Sequence, residues 1–225
     1  MAGGGFLGVD FFFVLSGFLI TSILLNEHDT QGSIRLPAFY LRRAQRLMPA
    51  LLLTIALFLA ASSAAWPKYH ETSGRDALLT ALFLSDYGKA FWGMPVVLQH
   101  SWSLSVEEHF YLLWPLALIF LVRRLSPLGL VKAIIALFFA ATVWRIACIW
   151  LGQDWTQIYY RFDTRMTGLI AGALIAASAR AGTLPRPNKQ AVIAALGVGL
   201  LALIFAPWGM RTYWLSPRPS PSCVP

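Results

Sequence analysis

The stretch Phe6–Leu25, FLGVDFFFVLSGFLITSILL, decides the fold class. An α-helix needs about 20 apolar residues to cross roughly 30 Å of hydrocarbon, and this run has that length. Its one charged residue, Asp10, is either an acid favoured by the dipole at the helix start or a partner for a basic residue on another helix. Ser16 and Gly17 give the run a small face for close helix packing. No basic region or small-residue cleavage site accompanies the run, so it predicts a retained membrane helix.

The rest of the chain repeats this apolar character. Of its 225 residues, 57% are hydrophobic and 12% are charged, which excludes an ordinary soluble domain. Later apolar runs of spanning or nearly spanning length lie at residues 49–66, 105–122, 131–151, 166–179 and 190–208. They predict an all-α, polytopic helical bundle with about six spanning helices. The apolar run 77–85 is too short to span and predicts a re-entrant or interfacial segment, followed by a loop at 88–99.

The net charge of +8 is explained by membrane topology. Lys and Arg are more numerous in the segments 26–48, 123–132 and 180–190 than in the segments on the other side, as expected for cytoplasmic loops. Because no continuous basic surface is formed, nucleic-acid binding is not predicted. The two cysteines have no CxxC spacing, so we predict no metal site. Residues 1–210 form the predicted membrane domain, and residues 211–225, rich in Pro and Ser, a disordered tail.

Three arginines, Arg42, Arg43 and Arg46, stand just before the second apolar run. One interpretation is that they set the topology or contact lipid headgroups. The other depends on their spacing: residues three or four apart share a helix face, so two of these guanidinium groups could bind one phosphate. The sequence alone leaves both interpretations open.

The stretch His100–Pro115, HSWSLSVEEHFYLLWP, holds two adjacent acids at the predicted start of a membrane helix. Ser105 and Glu108 have the spacing of a capping box, which would explain Glu108 without any chemistry. Glu107 has no such explanation. An acid at this place normally faces protein, water or a ligand, so Glu107 is a candidate functional residue. Tyr111 lies one turn further and is predicted to share its face.

Four motifs occur together in a fixed order. They are GVDFFFVLSGFLI at Gly8–Ile20, FYLRRAQRLMP at Phe39–Pro49, HSWSLSVEEHFYLLWP at His100–Pro115 and RFDTRMTGLIAGALIA at Arg161–Ala176. This set resembles the acyltransferase 3 family of integral-membrane acyltransferases. The resemblance implies transfer of an acyl group, often acetyl, from cytoplasmic acyl-CoA to a hydroxyl of a cell-envelope carbohydrate or lipid-linked sugar. It also implies a bacterial-type inner (plasma) membrane, with membrane lipid as a partner.

The same resemblance assigns roles to individual residues. It implies that Arg43 and Arg46, with Arg42 beside them, contact the phosphates of acyl-CoA. Glu107 and His100 become the candidate catalytic residues, since His100 matches a histidine often found before the WSLS motif. Tyr111, Asp163 and Arg165 become candidate substrate-binding residues. His109 stands where the family commonly has glutamine, and no metal is implied.

One expected element has no match in this chain. The family carries its catalytic histidine on a first membrane helix, ten residues after an arginine, and it usually has about ten spans. The chain begins directly before the match to the second helix of the family. We therefore expect a domain truncated at both ends, which by itself transfers no acyl group. An alternative hypothesis is a transporter or channel subunit in which charged residues line a polar path: Asp10, Glu107, Arg145 and Arg165.

Overall fold

The structure, a computed structural model, describes residues 5–65 and 67–184, except for the side chains of residues 5–7 and 69. Within these ranges the chain is helical and contains no strand. The helices are α1 (Gly5–Gln31), α2 (Leu36–Ala65), α3 (Ser73–Ala81), α4 (Ser85–Trp92), α5 (Ser101–Val122), α6 (Pro127–Trp150), α7 (Trp155–Tyr160), α8 (Phe162–Arg165) and α9 (Thr167–Arg180), with a 3₁₀ helix at Pro67–Thr72.

The chain divides into two compact units. The first comprises residues 1–12 and 185–225, of which the structure describes residues 5–12, the start of α1. The second is Phe13–Leu184, and it contains every contact considered below. The predicted span at 190–208 and the predicted tail at 211–225 lie outside the described residues.

Four of the described helices are long and apolar enough to cross a membrane. They are α1 from Gly8 onwards, α2, α5 and α6. This confirms the predicted all-α membrane bundle, and the chain is an integral membrane protein. The run predicted at 166–179 forms α9, a shorter apolar helix of 14 residues.

Helices α2 and α5 run antiparallel. Near the start of α2, the Tyr40 hydroxyl donates a hydrogen bond to the Leu112 carbonyl oxygen at 2.9 Å. Further along α2, Leu51 and Ile55 join a core cluster with Leu98, which precedes α5. The start of α2 and the end of α5 therefore lie at the same end of the bundle. We call this the basic end, because it gathers Arg35, Arg42, Arg123 and Arg124.

Two predicted connections were wrong in extent. Residues 26–48 are not a polar connection, because α1 continues to Gln31 and α2 begins at Leu36. The predicted re-entrant run 77–85 is divided between α3 and α4, and Gly88, predicted to lie in a loop, is inside α4.

A buried acid of α3, Asp76, holds the loop between α4 and α5 against α3. Its Oδ2 atom accepts hydrogen bonds from the backbone N–H groups of Val96 and Val97, both at 2.8 Å. The pattern of apolar residues in the sequence does not predict these hydrogen bonds, because they join residues about twenty positions apart.

Helices α1 and α9 approach each other closely through two glycines. A Cβ atom at Gly17 would lie 1.9 Å from the Leu169 carbonyl oxygen, and one at Gly172 would lie 2.0 Å from the Val14 carbonyl oxygen. Real side chains do not come this close to backbone, so each position admits only glycine in this packing. The close packing predicted from the small residues of both helices is confirmed at these two positions.

Candidate functional site

The polar centre of the bundle lies on the first half of α5. Glu107 is 4% exposed and accepts a hydrogen bond from the Ser16 hydroxyl of α1. The Tyr111 hydroxyl, one turn further along α5, interacts with the same two side chains. We call Ser16, Arg43, Glu107, Glu108 and Tyr111 the Glu107 cluster. It joins α1, α2 and α5 inside the apolar part of the bundle.

Glu108 takes part in an ion pair with Arg43 of α2. The Arg43 Nε atom lies 3.1 Å from Oε1 and 3.2 Å from Oε2 of Glu108, and Nη2 also donates to Oε1. The guanidinium carbon of Arg43 lies 3.4 Å from the centre of the Tyr111 ring. Charged groups inside a membrane bundle are stable only when they are paired in this way. Arg43 is therefore held by both an acid and an aromatic face.

The predicted capping role of Glu108 was wrong. Helix α5 begins at Ser101, four residues before Ser105. The Ser105 hydroxyl donates to the Ser101 carbonyl oxygen and accepts from the Ser85 backbone N–H group, both at 3.2 Å. Since α3 and α4 supply partners for these serines, the helix can start earlier. Glu107 and Glu108 consequently lie about 10 Å inside α5 and not at its mouth.

The three arginines of α2 have different surroundings. Arg43 is turned inwards to Glu108, so it does not share an anion with Arg46, which is exposed. The Arg42 Nη2 atom lies 3.6 Å from Oε2 of Glu27, a residue 7% exposed. Glu27 also receives Arg35, whose Nε atom is 3.6 Å from Oε1. The structure thus separates the predicted phosphate-binding set and leaves Arg42 and Arg46 with exposed guanidinium groups.

The order of the spanning runs also predicts that Glu107 and Glu108 lie on the membrane face opposite the arginine cluster, and for Arg43 this prediction was wrong. Arg43 belongs to the arginine cluster, yet it reaches Glu108 directly. The long helices explain this contact: Arg43 is seven residues inside α2, about 10 Å from its start. The ion pair therefore lies within the bundle, between its two ends.

His100 lies away from the Glu107 cluster. It occupies the position before α5, is exposed, and makes no side-chain capping hydrogen bond. Seven residues separate it from Glu107, which is about 10 Å along the helix axis. The structure does not bring the two predicted catalytic residues together.

Asp163 and Arg165, which the resemblance implies as substrate-binding residues, both lie on α8 but have different neighbours. Asp163 pairs with Arg161 and also accepts a hydrogen bond from the Trp144 indole at 2.7 Å. Burial alone would lower the pKa of Arg161, but the hydrogen bond to Asp163 and the attraction of nearby negative charge, chiefly that of Asp163, together outweigh burial and raise that pKa. Arg165, 5% exposed, lies over aromatic rings, with its guanidinium carbon 4.6 Å from the centre of Tyr159.

A second buried polar contact was not predicted. On the side of α5 away from Glu107, the His109 Nδ1 atom lies 3.2 Å from Oδ2 of Asp86, which is fully buried in α4. The rings of Tyr87 and Phe162 flank His109, with centroid distances of 5.9 and 5.6 Å. Burial, with added repulsion from Asp163 and Asp86, raises the pKa of Tyr87 to about 12. Asp86 was missed because the helix that carries it, Ser85–Trp92, was not predicted.

The described residues contain no group of three or more His, Cys, Asp or Glu side chains that could hold a metal ion. The candidate site itself consists of a buried acid with a hydroxyl donor, an adjacent ion pair and a tyrosine. Such a set can bind a hydroxyl group and stabilise a developing negative charge.

Comparisons with known proteins point to one family. A family model described as an acyltransferase domain, that of the acyltransferase 3 family, matches residues 2–224. The chain is 34% identical over 216 residues to the peptidoglycan O-acetyltransferase OatA of Listeria monocytogenes, covering 90% of this chain and 35% of that protein. It is 32% identical over 227 residues to the O-acetyltransferase OatA of Staphylococcus aureus, covering 94% and 37%. The chain thus spans about a third of the length of these curated relatives. No solved structure matches it.

Proposed function

Since the chain belongs to the acyltransferase 3 family, we propose that it is part of a membrane O-acyltransferase that transfers an acyl group, in the first instance acetyl, from acyl-CoA to a hydroxyl of a cell-envelope carbohydrate. The name of the Listeria relative makes peptidoglycan the first acceptor to test. The plasma membrane is the proposed location, with the basic end on the cytoplasmic side. Family membership favours this function over the transporter or channel hypothesis.

The observation that carries the proposal is the burial of Glu107 beside Ser16 and Tyr111. In the proposed reaction the acceptor hydroxyl attacks the thioester carbonyl carbon and gives up its proton, and the CoA thiolate leaves. Glu107 binds the acceptor hydroxyl and accepts its proton, which then passes to the departing thiolate, and the Tyr111 hydroxyl donates to the oxygen that becomes negatively charged. Arg43, fixed by Glu108, adds positive charge next to this position.

The proposed donor contacts lie at the basic end. Arg42 and Arg46 are exposed one turn apart on α2 and bind phosphates of acyl-CoA. Arg43 lies on the same turn of α2 but faces the interior of the bundle, where it pairs with Glu108. His100 is left out of the proposed site because about two helical turns separate it from Glu107. Asp163 and Arg165 remain proposed contacts for the acceptor, each with its own protein partners.

A direct assay tests the function. The protein is reconstituted with acetyl-CoA and soluble peptidoglycan fragments, and the release of CoA thiol is measured. Two forms are compared: the 225-residue chain and the product extended by any in-frame segment encoded upstream. We expect acceptor-dependent release of CoA thiol from at least one of the two forms. Absence of release from both forms would contradict the proposed function.

The role of Glu107 is tested in the form that releases thiol. Glu107→Gln is expected to lower kcat/KM by about 100-fold or more, since the amide cannot accept a proton in the transition state. Glu71→Gln is the matched control, because Glu71 is exposed in the 3₁₀ helix and should leave the rate unchanged. Equal rates for the two variants would remove Glu107 from the reaction.

Donor binding can be measured on the 225-residue chain by calorimetry. The double variant Arg42→Gln and Arg46→Gln is expected to bind acetyl-CoA about 10-fold more weakly, because charge-assisted phosphate contacts are lost. Arg124→Gln removes a charge from the same end and serves as the control. Acetyl-pantetheine, which carries no phosphate, should bind equally to all forms. Unchanged acetyl-CoA binding by the double variant would exclude both arginines from the donor site.

A further inference from the structure

A cavity opens at the basic end, apart from the Glu107 cluster. Its volume is about 570 Å³, and it lies between the first turn of α2 and the last two turns of α5. Its walls are apolar except for two arginines. The main lining residues are Ile34, Arg35, Leu36, Leu116, Ile119 and Arg123.

The cavity extends along the direction in which a lipid lies. On α5 its wall runs from Arg123, next to the helix end, to Leu116, seven residues further inside. This distance is about 10 Å along the axis, so the wall leads from the headgroup level into the hydrocarbon level. Leu116 is 50% exposed, which leaves this apolar wall open to a ligand.

The charge at the rim is positive and only partly compensated. Arg35 shares Glu27 with Arg42, so a single carboxylate serves two guanidinium groups. Arg123 is exposed and has no acid partner among residues 5–65 and 67–184. The rim therefore favours an anion, and guanidinium groups bind phosphate oxygens in a bidentate manner.

We propose that this cavity binds a phospholipid with an anionic headgroup. The phosphate lies between Arg35 and Arg123, and one acyl chain lies along Leu116 and Ile119. The amide-containing arm of acyl-CoA fits these walls poorly, because its polar groups would lie unpaired at hydrocarbon depth. The proposal concerns a site separate from the Glu107 cluster and does not depend on acyl transfer.

Lipid retention by the purified 225-residue chain tests this site. Native mass spectrometry would compare bound phosphatidylglycerol with phosphatidylcholine of the same chain length. We expect preferential retention of phosphatidylglycerol and a loss of about 10-fold in the double variant Arg35→Gln and Arg123→Gln. The matched control, Arg75→Gln with Arg124→Gln, removes the same number of charges outside the cavity and should keep the preference. Circular dichroism would verify that both double variants fold.

Competition identifies the source of the phosphate. Glycerol phosphate, which has the headgroup chemistry without acyl chains, should not displace phosphatidylglycerol at equal concentration. Displacement by glycerol phosphate would reduce the site to a simple anion site and overturn the proposal. Displacement by acetyl-CoA, together with loss of acetyl-CoA binding in the cavity variant, would assign the cavity to the acyl donor instead. Equal retention of the two lipids would also overturn it.

Discussion

Gly172→Ala is expected to destabilise the bundle by about 3 kcal/mol, because the added methyl group must force α9 away from α1. The new Cβ atom would lie 2.0 Å from the Val14 carbonyl oxygen and 2.6 Å from the Phe18 nitrogen. Both are backbone atoms, which cannot move aside as a flexible side chain can. Unfolding in mixed detergent and dodecyl sulfate, followed by circular dichroism, would measure the loss.

Two comparisons make this result specific. Gly17→Ala should have a similar effect, since its Cβ atom would meet the Leu169 carbonyl oxygen from the other helix. Gly74→Ala, within α3, meets no atom within 4 Å and should be neutral or stabilising by about 0.5 kcal/mol. If Gly172→Ala unfolded at the same point as Gly74→Ala, the close approach of α1 and α9 would be incorrect.

Removing the charge of Arg43 is expected to have the second large effect. Arg43→Gln leaves Glu108, which is 16% exposed, without its partner inside the bundle. Breaking a buried ion pair from one side costs about 3 to 5 kcal/mol. The variant also loses the guanidinium that lies over the Tyr111 ring. The same unfolding assay would report this loss.

The double variant Arg43→Gln with Glu108→Gln tests the cause. It removes both charges, so it should recover most of the stability lost in Arg43→Gln. Arg124→Gln, whose guanidinium carbon lies 4.2 Å from the centre of the Phe120 ring at the protein surface, should change stability by less than about 1 kcal/mol. No recovery in the double variant would show that the ion pair is not the source of the effect.

The apolar runs of the sequence predicted the membrane bundle because hydrocarbon thickness constrains helix length directly. The helix ends were less predictable. Residues 26–31 and 36–48 contain many polar residues, yet they belong to α1 and α2, because contacts with distant residues, such as that of Arg43 with Glu108, stabilise polar groups there. The short helices α3 and α4 were missed because their stability comes from contacts such as Asp76 with the distant Val96 N–H group.

The residues of the candidate site were likewise predicted only in part. Glu107 was predicted because an acid in an apolar run normally faces protein, water or a ligand, and the structure places it beside Ser16. Glu108 was misassigned because a capping box depends on local spacing, whereas Arg43, 65 positions away in the sequence, decides its role. The contact of His109 with Asp86 joins two helices, and no local pattern indicates it.

Three consecutive residues of α5 contact three different helices: Glu107 contacts α1, Glu108 contacts α2 and His109 lies next to Asp86 of α4. A shift of α5 by one residue would move these side chains by about 1.5 Å and turn them by about 100°. Such a step would put one glutamate in the place of the other, so at most one of the three contacts would be re-formed and at least two would be lost. The three contacts therefore hold α5 in register and in rotation, so a piston or screw movement of α5 would have to break at least two polar contacts in the interior of the bundle.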